Sequence, residues 1–162
     1  MESFYVVSLE SGQLLLKSRY RDGGNECNDE TWSIHHSLKL YAIYCQMRAI
    51  STTAKGSPFW IRSGAGGISY REDYHQVQVD GQIRHVSAVF ILCTRPEVEF
   101  EEAAKYFDSL REVYGQHAGS PSAQLHACQS LISDSFAKAK ESQKKLKGSI
   151  AVNHVRCALT EV

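Results

Sequence analysis

Apolar and polar positions change their rhythm several times along the chain, and each change marks an element. Phe4-Tyr5-Val6-Val7-Ser8-Leu9 is β-branched and aromatic, Glu10 to Gln13 reads as a tight turn, and Leu14 to Tyr20 as a returning strand. A Gly-, Asn- and Asp-rich loop spans Arg21 to Glu30. From Thr31 to Ile50 no proline or glycine occurs, and apolar residues recur at helical spacing in two stripes. One is Ile34, Leu38, Tyr41, Cys45 and Ala49; the other is Leu40, Ile43 or Tyr44, Met47 and Ile50. A helix apolar on two sides is usually sandwiched, so one stripe needs a cover beyond the sheet.

A linker at 51–58 leads to Phe59-Trp60-Ile61-Arg62, a glycine-rich turn at Gly64 to Gly67, and Ile68-Ser69-Tyr70. Tyr74 to Val79 alternates, Asp80-Gly81 marks a hairpin turn, and Ile83 to Thr94 is a long apolar run expected to be the central strand. Pro96 ends it. Glu97 to Tyr114 predicts a helix with acidic first turns and a stop at Gly115. Ser120-Pro121 opens a last helix carrying Leu125, Cys128, Ile132 and Phe136 on one face. The order, two strands, a helix, about three strands and two helices, predicts an α+β fold over residues 1–140: a mostly antiparallel sheet packed by helices. Residues 141–162 form a basic tail or short helix.

Composition narrows the classes. The chain has 162 residues, enough for one domain with a hydrophobic core. Lysine plus arginine and aspartate plus glutamate number 18 each, so no global field draws the protein to nucleic acid. Five cysteines lack paired spacing, which points to reduced, mostly buried thiols and a cytosolic setting, with Cys45 and Cys93 inside apolar runs. No apolar stretch approaches the ~20 residues that span a bilayer.

Candidate chemistry is thin. The glycines at 64, 66 and 67 lead into a strand pattern rather than a helix, which argues against a phosphate cradle. His35 and His36 point about 100° apart on a helix and cannot share a metal, and the other histidines are scattered. The sequence therefore predicts no catalytic, cofactor or metal site and no enzyme. Two surfaces remain. Leu40, Tyr44, Met47 and Ile50 are the candidate protein-docking stripe. Lys138, Lys140, Lys144, Lys145 and Lys147 are a candidate contact for acidic lipids or an acidic partner. Val152, Val155, Leu159 and Val162 follow at a/d spacing, a pattern too short for a coiled coil to be expected over a short amphipathic helix or a docked tail.

Three stretches resemble the longin, or SNARE-like, superfamily: the opening hairpin, Leu40 to Ile50, and Ala88 to Cys93 running through Phe100 into Tyr106 to Tyr114. They are similar to longin-like subunits of the TRAPP tethering complex, R-SNARE longin domains and adaptor sigma chains. The resemblance implies a five-stranded antiparallel sheet with one helix on one face and two on the other. It also implies a role in vesicle trafficking, such as ER–Golgi transport, as a tethering or coat subunit. Its partners would be other protein subunits or a SNARE, with peripheral contact to endomembranes. Two alternatives are a regulatory longin domain of an R-SNARE fusion protein, and a small ligand-binding or enzymatic α+β domain.

Overall fold

The computed structural model describes residues 3–19, 30–51, 58–64, 66–117, 119–135 and 138. The elements are β1 (Ser3–Ser8), β2 (Leu14–Arg19), α1 (Glu30–Ile50), β3 (Phe59–Ser63), β4 (Gly66–Val79), β5 (Gln82–Thr94) and α2 (Phe100–Gln116). A third helix, α3, follows at 121–135. All strands pair antiparallel in one sheet of order β2-β1-β5-β4-β3. The long apolar run is the central strand, as its buried side chains on both faces require.

Alternation along the strands divides the core into two layers. Phe4, Val6, Phe90 and Leu92 point to one side, where α2 and α3 cover them with Phe107, Leu110, Tyr114, Cys128 and Ile132. Tyr5, Val7, Val89 and Ile91 point to the other, where α1 supplies Leu40 and Tyr44. The architecture is an α+β sandwich with one helix on one face and two on the other.

The structure corrects several boundaries. Ile68–Tyr70 and Tyr74–Val79 belong to a single 14-residue strand, with the charged Arg71-Glu72-Asp73 inside it. The pleat makes this tolerable, because each charge finds a partner on its own face. Arg71 pairs with Asp108 and Asp73 with Arg111, both on α2, while Glu72 meets Arg48 of α1. The helix α2 begins at Phe100, not Glu97, and runs past Gly115 to Gln116. Glu99 is the extended residue before the helix, and its carboxylate accepts from Arg62 at 2.9 Å.

The glycines expected to form a flexible turn are partly sheet. Gly66 and Gly67 open β4, opposite Ser63 and Arg62. Gly66 has φ +137°, and a Cβ there would sit 2.1 Å from the Thr94 carbonyl oxygen. At Gly67 a Cβ would meet the Trp60 indole nitrogen at 2.5 Å. Close approach of neighbouring groups, rather than anion binding, explains both glycines.

Candidate functional site

The helix α1 was expected to offer Leu40, Tyr44, Met47 and Ile50 to a partner, and its actual rotation divides that stripe. Leu40 is 3% exposed and Tyr44 4%, both packed on the sheet. They are core, so this half of the expected docking stripe is closed to any partner. Met47 is half-buried, and only Ile50, at 75%, faces solvent. The other stripe is open except at Tyr41, which is half-buried against the same core. Ile34 and Leu38 are 49% and 47% exposed, and Ala42, Cys45 and Ala49 on the same flank are exposed too.

Polar contacts accompany this rotation. The Tyr70 hydroxyl donates to the Leu40 carbonyl at 3.2 Å, and the Tyr41 hydroxyl donates to the Leu9 carbonyl at 3.0 Å. Tyr44 donates to the Glu72 carboxylate at 2.7 Å, and the Arg48 guanidinium meets the same carboxylate oxygen at 2.7 Å. Burial raises the Tyr44 phenol well above its ordinary pKa, and the Glu72 carboxylate adds to the effect. The phenol therefore stays protonated and keeps its donor. The Tyr44 ring also stacks on Phe59 at 5.8 Å and tilts against Tyr70 at 6.0 Å.

A thiol expected to be buried is open instead. Cys45 lies exposed among the small residues of the outer flank. Cys93 is half-buried and Cys128 buried, and burial pushes their pKa values up to about 11 and about 12. Neither is a poised nucleophile, which needs a lowered pKa. Cys27 and Cys157 lie outside the described residues.

A second partly open feature is aromatic. Trp60 of β3 and Phe100 of α2 stand 5.3 Å apart, with the Arg62 guanidinium 5.8 Å above the Trp60 ring. Below it lies a narrow cleft of about 60 Å³ reaching Ser69, whose buried hydroxyl has no hydrogen-bond partner among the described residues. A cleft of about 240 Å³ separates α2 from α3 and carries Glu102 and Lys105 at its rim. Among the described residues no three His, Cys, Asp or Glu side chains gather as metal ligands, and no helix is long and apolar enough to cross a membrane.

Of the lysine cluster, Lys138 is exposed and helical. Lys140, Lys144, Lys145 and Lys147, like the a/d fragment after them, lie outside the described residues.

The class these features define is an α-β-α sandwich of the α+β kind, with an apolar flank of its solitary helix turned outward. No family model, curated protein or solved structure matches this chain.

Proposed function

We propose that this chain is a protein-docking subunit of intracellular vesicle traffic, a longin-like module that binds another polypeptide across the outer flank of α1. The observation that carries the reading is the pair Ile34 and Leu38, each about half exposed, in line with the small residues Ala42, Cys45 and Ala49. Large apolar side chains followed by small ones let a second helix approach closely and bury the patch. The layer order, with one helix alone on its face, leaves this flank uncovered by α2 and α3. The lysines at 138, 140, 144, 145 and 147 extend the proposal to peripheral contact with an acidic membrane.

The test uses Cys45 as a built-in probe. A photocrosslinker attached to Cys45 in the full chain should capture a tethering, coat or SNARE component from native cytosol. Leu38→Glu should abolish capture without loss of the fold. Capture that survives Leu38→Glu would remove the proposed surface, and capture only of proteins foreign to membrane traffic would remove the proposed process.

A further inference from the structure

A groove of about 550 Å³ runs beside the outer edge of β2, a volume within the ~300–1,000 Å³ of ligand-sized sites. Four consecutive strand residues, Leu14 to Lys17, line it. Successive side chains of a strand point to opposite faces, so four in a row border one groove only where it opens at the edge itself. The walls agree: Ile34 comes from the α1 layer, and Pro121, Ser122 and Leu125 from the α3 layer. Among the described residues no strand pairs with this edge. An open edge presents a row of free backbone donors and acceptors, the template on which a further strand assembles.

The charge of the groove selects what can assemble there. Lys17 is the charged residue of the lining, and it has no ion pair among the described residues. Pro121 and Ser122 place the first turn of α3 in the same wall, where the partial positive charge of a helix start favours carboxylates. The remaining lining is mostly Leu, Ile and Pro. Two positive features over an apolar floor fit an anionic, apolar strand.

We infer that the β2 edge receives an extended segment of another polypeptide, alternating β-branched apolar and acidic residues, as a sixth strand. Apolar side chains enter the groove, and carboxylates meet Lys17 and the start of α3. This groove shares Ile34 with the α1 flank but is otherwise built on β2 and α3, and it stands whether or not that flank binds a partner.

The test is selection of a random linear peptide library on the full chain. Alternating apolar–acidic peptides should be enriched, and the best of them should slow amide exchange at Leu14–Arg19. Lys17→Glu and Ser122→Asp, each with the parent's circular dichroism, should weaken that peptide about tenfold, and its Asp-to-Lys twin should regain binding to Lys17→Glu. Ala49→Glu, at the end of the α1 flank far from Ile34, should leave peptide affinity unchanged. No enrichment, enrichment of peptides without acidic residues, or protection away from β2 would each overturn the inference. So would concentration-dependent pairing of two copies through this edge, which would make the occupant a second chain.

Discussion

Replacing Tyr44 and Leu38, two apolar residues on the same helix, should separate a core position from a surface one by several kcal/mol. Tyr44 is almost wholly enclosed, stacked on Phe59 and tilted on Tyr70, with its hydroxyl bound to Glu72. Truncating a buried aromatic to alanine costs about 3–5 kcal/mol through lost transfer energy and the cavity left behind. The hydroxyl alone contributes about 1 kcal/mol, which Tyr44→Phe should isolate; Glu72 keeps Arg48 and is not stranded by the change. Leu38 is already 47% exposed, so Leu38→Ala gives up less than about 1 kcal/mol. Urea titration reads this directly. With a slope of about 1–3 kcal/mol per molar, Tyr44→Ala should lower the midpoint by roughly 2 M and Leu38→Ala by under ~0.5 M. Equal shifts, or a larger one at Leu38, would mean that α1 is rotated differently on the sheet, and the outward flank proposed for docking would be lost with it.

Other expectations are narrower. Native alkylation at pH 8 followed by peptide mass spectrometry should label Cys45 within minutes, while Cys93 and Cys128, shielded and held protonated with pKa values of about 11 and about 12, should react only after denaturation. His75 is buried against Tyr114 at 5.6 Å, and burial lowers its pKa below the ordinary 6.5, so the unfolded chain binds its proton first. Its contribution is full above about pH 6.5 and falls as the pH drops toward the lowered folded value; His75→Gln should flatten the pH 7-to-5 stability profile, and an unchanged slope would refute the assignment. Gly66→Ala should cost about 2–5 kcal/mol in thermal unfolding, because strain at φ +137° adds to a clash with the Thr94 backbone that cannot swing away. Asp108→Asn removes partners from Arg71 and Arg111, but at a largely exposed carboxylate, so the loss should stay below about 1 kcal/mol and shrink in high salt.

The elements that local chemistry dictates were legible. Asp80-Gly81 between two apolar runs predicts a tight hairpin, and both residues adopt positive φ, 51° and 76°, while Val79 pairs with Gln82. Gly12, at φ +68°, closes the first turn. The sheet and the layered α+β class followed from the order of these elements. The extent of β4 did not, because Arg71-Glu72-Asp73 reads as a break unless its partners are known. Those partners, Asp108, Arg111 and Arg48, lie 24 to 38 residues away in sequence, beyond the reach of any local pattern. The same limit reversed the reading of α1. Both of its stripes are apolar, so periodicity alone has no ground for choosing which faces the sheet. Cys45 was misread for the same reason, since it shares the stripe that turned outward.

Hydrogen bonds and an ion pair reinforce the rotation of α1 that the core packing shows. Leu40 and Tyr44 fill the space above Tyr5, Val7, Val89 and Ile91, with Tyr41 packed beside them. With Leu40 and Tyr44 inward, the Tyr44 hydroxyl and Arg48 together satisfy Glu72, and Tyr70 caps the Leu40 carbonyl. A turn of the helix that brought Ile34 and Leu38 inward would pull Tyr44 away from Glu72 and leave the Tyr70 hydroxyl, buried in the middle of the sheet, in search of another acceptor. Each buried polar group left without a partner costs about 1–3 kcal/mol, a loss that adds to that of the core contacts. Ile34, Leu38, Cys45 and Ala49 lie exposed on the side of the helix away from these bonds, and the docking proposed there would need no reordering of the inner face.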